Sequence, residues 1–364
     1  MKRHALVALL LGACTLAPAA LARNATPPLP ALGADLNFTT VSGISSGGFM
    51  AAQLATAYSS RFKGVGVIAA GPYYCAGTYA SQSLFQNATT TCMSASIAAT
   101  AADGAISLAN ATSFADKRLI DPVKFLAEQR VYAFSGSSDR TVKTIVVDQV
   151  EKYYQLAGAP KDHILYRKND AGHSIITDND DDVECSKTDA PYINNCGFVQ
   201  SQELLAHMYG KNGKPANAGV PAGQIIVFDQ REFIKGTLTS MNRNGYAYVP
   251  EYCRTNACFV HVAFHGCEQG ARIIGDQFYR GTGYNEYADT NNLIILYPQA
   301  GVSKGAPVNP KGCWDFWGYS NEEGFPAFYA KDAPQMGAIM AMVDRLGQSR
   351  AAAAAAVSAT PTKP

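Results

Sequence analysis

The chain has 364 residues, 47% hydrophobic and 16% charged, enough apolar content for one large globular domain or two small ones. With 30 Lys and Arg against 29 Asp and Glu, its net charge is +1. Nothing in that balance suggests nucleic acid or an acidic membrane surface as a partner.

The chain opens with the basic Met1-Lys2-Arg3-His4, an apolar run over 5–11, and Ala20-Leu21-Ala22 ahead of Arg23. This is the pattern of a signal peptide spanning 1–22, so we expect an exported protein, secreted or periplasmic. The apolar run is too short to span a bilayer. An alternative takes Leu11-Gly12-Ala13-Cys14 as a lipoprotein box acylated at Cys14, which the short apolar run disfavours. Loss of the leader would remove one of nine cysteines and leave an even set with no CxxC pair. That arithmetic points to disulfides rather than zinc or redox chemistry. Pairing nearest neighbours gives Cys75–Cys92, Cys185–Cys196, Cys253–Cys258 and Cys267–Cys313.

Residues 23–36 are rich in Pro and Ala and read as an extended lead-in to a single domain over 23–350. A β-prone run at 38–41 is followed by Gly43-Ile44-Ser45-Ser46-Gly47 and then by a helical stretch over 51–58. A GxSxG turn between strand and helix has the context of a nucleophile elbow. There Ser45 Oγ would be lifted clear of the sheet, and the Ser46 N–H would be free for an oxyanion. The apolar run at 65–70 reads as a strand buried on both faces. Residues 73–113, rich in Ala, Ser and Thr, look like an insertion over one end of the sheet. A short helix is expected from Asp121, a strand at 131–134, a helix over 142–156 ended by Gly158, and a strand at 163–166. After a loop carrying His173, a helix is expected over 198–209.

Strands alternating with helices imply a parallel α/β sheet. The polar residues just past successive strand ends are Ser45, Asp139 and His173, the chain order of α/β-hydrolase triads. In that reading His173 takes the serine proton and Asp139 fixes the imidazole tautomer. Asp121, Asp162, Asp170 and Asp178 compete with Asp139 for the acid's role, since carboxylates are common in loops.

The second half supplies what should precede the elbow. An outer β-pair is expected at 224–228 and 245–250, then a buried strand over 258–264 that ends in His265-Gly266-Cys267. A helix follows over 283–291, a strand at 293–297 and a last helix over 336–346. The HG-type turn would provide the second oxyanion donor, the Cys267 N–H. Joining the C-terminus to residue 37 restores the usual strand order, so we expect a circular permutation. Trp314 and Trp317 follow Cys313 and read either as a core patch or, if Cys313 bonds Cys267, as an apolar wall for the acyl chain. The acidic run over 178–182 with Glu184 fits no EF-hand spacing and reads as a solvated loop. No HExxH-type spacing occurs, so neither metal nor cofactor is expected. The Ala-rich tail over 351–364 is expected to be disordered.

The stretches Val41-Ser42-Gly43-Ile44-Ser45-Ser46-Gly47-Gly48-Phe49-Met50-Ala51, Ser135-Gly136-Ser137-Ser138-Asp139, Gly172-His173, His265-Gly266-Cys267 and Gly312-Cys313-Trp314-Asp315 together resemble poly(3-hydroxybutyrate) depolymerases. The similarity runs over about 37–346 and is nearest to the single-domain fungal type and related bacterial catalytic domains. It implies a circularly permuted α/β-hydrolase fold with Ser45, Asp139 and His173 as the triad and Ser46 and Cys267 as oxyanion donors. Trp314 matches a residue lining the family's substrate crevice. Many secreted bacterial members carry a linker and a separate polymer-binding domain. This chain has only the Ala-rich tail, which directs the expectation to amorphous polymer or soluble oligomers. The expected protein is therefore a monomeric, cofactor-free serine esterase acting on a polyester or oligoester. The rivals are a general carboxylesterase of the feruloyl or acetyl-xylan type and an inert exported polymer-binding protein.

Overall fold

The computed structural model describes residues 26–350 apart from 211, 212 and 218. The expected leader, Cys14 and the Ala-rich tail lie outside the described residues. Strand β1 (Thr39–Ile44) runs into helix α1 (Ser46–Ala57), followed by β2 (Phe62–Ile68). The segment expected as an insertion contains α2 (Leu84–Thr89) and α3 (Gly104–Asp116). Next come β3 (Arg130–Gly136), α4 (Thr144–Leu156) and β4 (Ile164–Asn169). Three short strands follow, β5 (Ile175–Thr177), β6 (Val183–Glu184) and β7 (Ile193–Asn195), then α5 (Gln200–Tyr209). The second half holds β8 (Gln224–Asp229), β9 (Asn244–Val249) and β10 (Phe259–Phe264). It continues with the short α6 (Ala271–Ile274) and α7 (Gln277–Gly281), α8 (Tyr284–Asn291), β11 (Leu293–Tyr297) and α9 (Pro334–Gly347).

Eight strands form one sheet in the order β4-β3-β2-β1-β10-β11-β9-β8. Strand β1 pairs in parallel with β2 on one side and β10 on the other, so the two halves of the chain meet at the nucleophile strand. Only β9 runs against the rest, pairing antiparallel with β11 on one side and with the edge strand β8 on the other. The continuous apolar runs of the central strands follow from burial on both faces. Val131 and Ala133 of β3, with Ile294 and Leu296 of β11, share a core with α1, α4 and α9. The alternate residues Tyr132, Phe134, Ile295 and Tyr297 face a second core with α5 and α8.

Read from β8 through β11 and then from β1 to β4, the sheet is an α/β-hydrolase sheet with its nucleophile strand fifth. The chain therefore has the circularly permuted α/β-hydrolase fold. The backbone makes the permutation simple, because the lead-in before β1 is hydrogen-bonded to the end of α9. Leu32 N–H and Ala34 N–H both donate to the Leu346 carbonyl, at 3.1 and 2.9 Å.

Several local expectations shift. The first helix starts at Ser46 rather than at 51, directly after the serine, because the turn itself delivers the chain into helical geometry. The helix expected from Asp121 is a 3-10 segment, Val123–Glu128. The small sheet β5-β7-β6 was not expected at all. All four nearest-neighbour disulfides are present.

Two glycines of the elbow are required by contact rather than by backbone angle. A Cβ on Gly47 would collide with the His265 carbonyl oxygen and lie 2.6 Å from that of Phe264. A Cβ on Gly43 would strike the Gly47 carbonyl and lie 2.8 Å from Phe264 Cβ. Behind this junction His261 is fully buried, its Nδ1 2.7 Å from Thr40 Oγ1 and its Nε2 2.8 Å from Ser42 Oγ. Burial pushes its pKa down to about 3, and that of His265 down to about 4.

Two outcomes are expected. Gly47→Ala should cost about 3 kcal/mol or more of stability in urea unfolding, since the atoms it meets are backbone and cannot yield cheaply. In acid, both histidines stay neutral in the fold while the unfolded chain protonates them near pH 6.5. Their contribution is complete above that pH and is lost as the pH falls toward 4. The Tm should drop across this window and His261→Gln should flatten the slope; parallel profiles would contradict the assignment.

Candidate active site

Ser45 sits between β1 and α1 at φ 56° and ψ −126°, a region a serine enters only when its surroundings force it. Its N–H donates to the Ile68 carbonyl at 2.9 Å, and its carbonyl accepts from Phe49 N–H at 3.0 Å. The strained residue is thus clamped by the neighbouring strand behind it and by the first helical turn ahead. Ser46 is the first residue of α1, so its N–H has no partner within the helix and adds to the positive helix end. The Ser46 hydroxyl is occupied, accepting from Trp314 N–H at 3.2 Å.

The His265-Gly266-Cys267 turn lies against this elbow. A Cβ on Gly266 would be 3.2 Å from Ser45 Cβ and 3.3 Å from the Ile44 carbonyl oxygen. Two of the turn's N–H groups are engaged: Gly266 N–H donates to Gln269 Oε1 at 2.8 Å and Glu268 N–H to the Lys311 carbonyl at 2.7 Å. The Cys267 N–H, between them, makes no hydrogen bond among the described residues. His265 stiffens the turn. Ala300 N–H donates to its Nε2 at 3.2 Å, so the proton is on Nδ1, which donates to the Gly266 carbonyl at 2.7 Å. With burial lowering its pKa to about 4, this imidazole stays neutral at ordinary pH.

Asp139 and His173 come from loops after β3 and β4, stitched together by their backbones. Ser137 N–H donates to the Asn169 carbonyl at 2.8 Å and Ser138 N–H to that of Ala171 at 3.1 Å. Gly136 and Gly172 allow these loops to pass, since a Cβ on either would collide with the Ala171 or Lys187 carbonyl respectively. His173 Nδ1 lies 2.7 Å from Asp139 Oδ2. Asp139 Oδ1 accepts from Thr141 N–H at 2.7 Å and Val142 N–H at 2.9 Å. Of the competing carboxylates, Asp121 is bound instead to Ser60 and Lys331, the former at 2.5 Å through the serine hydroxyl.

Ser45, His173, Gly266 and Cys267 line one cleft of about 150 Å³, with Met93 and Tyr192 among its walls. The Ser45 hydroxyl has no direct hydrogen bond to His173, a looseness common to catalytic pairs before substrate arrives. At the rim Lys311 Nζ pairs with Glu268 at 3.1 Å. Trp314 is fully buried, packed on Phe264 and His265 at ring distances of 4.9 and 5.5 Å, so it supports the floor and does not line the cleft. Trp317 is half-buried on Phe316 and Tyr319 and does not line it either. The loop carrying both is held by buried Asp315, which accepts from the N–H groups of Trp317, Gly318, Tyr319 and Ser320. Cys313 bonds Cys267 and ties that loop to the turn.

Three supporting residues escaped sequence reasoning. Thr188 Oγ1 accepts from His173 N–H at 3.0 Å, across a separation with no sequence signal. Gln269 donates to the carbonyls of Pro191 and Tyr192, both at 3.0 Å, joining the His265–Cys267 turn to the cleft wall. Its position two residues past Cys267 was the one available hint. Tyr192, at φ 59°, enters the cleft only through that tertiary contact. No group of three or more His, Cys, Asp or Glu is placed to hold a metal ion among the described residues. A hydroxyl on a strained turn, a carboxylate-bound imidazole and two free N–H donors form a set whose chemistry suits acyl transfer.

No protein-family model matches the chain. A poly(3-hydroxybutyrate) depolymerase of Delftia acidovorans is 44% identical over 328 residues, covering 89% of this chain. The chain spans 62% of that relative's length. A polyhydroxybutyrate depolymerase of Talaromyces funiculosus is 35% identical over 332 residues, covering 87% of this chain and 90% of the relative. Among solved structures, a serine-to-alanine PHB depolymerase complexed with an R3HB trimer matches with a TM-score of 0.73 at 34% identity. It covers 88% of this chain and all of its own.

The carboxylate's bonds lead to a specific expectation for Asp139→Asn. With the amide oxygen held by Thr141 and Val142 N–H, its NH2 would face His173 Nδ1 and force the proton onto Nε2. An imidazole in that tautomer cannot accept a serine proton. Turnover of an aryl ester should fall by about 10³- to 10⁴-fold with KM little changed. A loss smaller than tenfold would show that another carboxylate serves.

Proposed function

The chain belongs to the poly(3-hydroxybutyrate) depolymerase family, and we propose that it hydrolyses 3-hydroxybutyrate polyester or its oligomers through an acyl-enzyme on Ser45. Ser45 Oγ attacks the ester carbonyl as His173 Nε2 takes its proton, and Asp139 holds the imidazolium. The Ser46 and Cys267 N–H groups receive the oxyanion. His173 then protonates the departing hydroxyl and activates the water that frees the acid.

The observation that carries this reading is the 2.7 Å His173–Asp139 contact, in a cleft shared with a strained Ser45 and the Cys267 turn. The complexed relative, a serine-to-alanine protein with an R3HB trimer, supports both the nucleophile and the substrate class. The cleft, of about 150 Å³, has room for one chain at a time, and the substrate form we infer is amorphous polymer or soluble oligomers. Four disulfides favour an oxidising compartment, in keeping with export. In the described residues no helix is long and apolar enough to cross a membrane.

Ser45→Ala should lower clearing of an amorphous poly(3-hydroxybutyrate) emulsion by at least about 10⁴-fold, because triad members act as a unit. An organophosphate should label wild type and not the variant. Retained clearing would refute the nucleophile. Rapid cleavage of acetyl or feruloyl esters without clearing would point to a general carboxylesterase, and binding of polymer without labelling to an inert binding protein.

A further inference from the structure

A second cavity, of about 630 Å³, adjoins the catalytic cleft: Thr188 lines both, and Asp139 lies in its wall. Its chemistry is polar and cationic. Arg140, Lys143 and Lys187 line it together with the hydroxyl residues Ser137 and Ser138. Arg140 and Lys143 form no ion pair among the described residues, and Lys187 reaches only Glu184, at 3.9 Å. Of the two lining carboxylates, Asp139 is consumed by His173, Thr141 and Val142, which leaves Asp189 facing three cations. The reaction at Ser45 needs none of these cations, so the cavity presents unpaired positive charge beside a site that generates carboxylates.

The direction of the substrate follows from the reaction. When the ester C–O bond breaks, the proton on His173 passes to the leaving oxygen, so that oxygen must lie at the imidazole. In a 3-hydroxyacyl polyester the fragment that leaves through this oxygen is the one bearing the chain's carboxyl terminus. The imidazole's backbone is anchored on Thr188, where the two cavities meet. A leaving fragment extending from His173 past Thr188 therefore enters the cationic cavity. We propose that this cavity is a subsite for the free carboxylate of the leaving fragment, so that short 3-hydroxyacyl oligomers ending in an acid are favoured over capped ones. The proposal rests on the esterase reading above. It assigns Arg140 and Lys143 to substrate recognition, with Lys187 reinforcing their field.

The test is a ratio within each protein, kcat/KM for the 3-hydroxybutyrate trimer acid divided by that for its methyl ester. At low salt the wild-type ratio should be about five, the discrimination expected of two partly exposed charge pairs. It should fall toward one in an R140Q/K143Q variant, persist in R140K/K143R, and fall in wild type at about 0.5 M NaCl, where charges are screened within a few ångströms. A wild-type ratio near one would overturn the proposal. So would a high ratio that survives either the neutral substitutions or the salt. Failure of wild type to cleave either trimer would instead overturn the esterase reading itself.

Discussion

The structure depends on how closely the chain can be brought together where β1 turns into α1. Gly47 touches the backbone of the Phe264–His265 segment, Gly43 touches Gly47, and Gly266 touches Ser45. No side chain fits at Gly43 or Gly47, and at Gly266 one would have to push the elbow aside. Their closeness holds Ser45 at a positive φ and brings the Cys267 N–H beside it. The backbone strain at Ser45, of order 1–3 kcal/mol, is held by hydrogen bonds on either side and by the buried sheet around it. Catalytic geometry and core packing are therefore one constraint, not two.

The outer parts of the site are held differently. Loops after β3 and β4 lie at the sheet's edge, where fewer strands support them. Their place is fixed by backbone bonds between the loops, by Thr188, and by a three-stranded sheet closed with Cys185–Cys196. The His265–Cys267 turn is tied in the same way to the Trp314 loop through Cys267–Cys313. Trp314, buried and packed on His265, acts from beneath the cleft by bracing that turn. The loops carrying His173 and Cys267 are thus too irregular to fix themselves, and each is anchored by a tether distant in the sequence.

The permutation has little physical effect on this arrangement. Strand neighbours are set by which faces are apolar and by parallel pairing, and neither depends on where the chain begins. What changes is contact order: the elbow is made early in the chain, and the His265–Cys267 turn that packs on it more than two hundred residues later. The buried polar link from Thr40 and Ser42 to His261 joins the same two strands, β1 and β10, below the active turn.

Much of this was legible in the sequence. Glycine flanking Ser45, apolar runs of strand length, the order Ser45, Asp139, His173 and an even cysteine set are local signals, each with a local physical cause. They were enough for the fold and the permuted order; the cysteine count pointed to disulfides, while which cysteines pair was settled only by the fold. The roles of Thr188 and Gln269, the entry of Tyr192 into the cleft and the withdrawal of Trp314 from its surface were not legible. These depend on which loops meet at the sheet's rim, and loop meetings are decided by tertiary packing rather than by any periodicity. The same holds for the cationic cavity: no pattern in the sequence links Arg140, Lys143 and Lys187, and only folding gathers them around one space walled by Asp139 and Thr188.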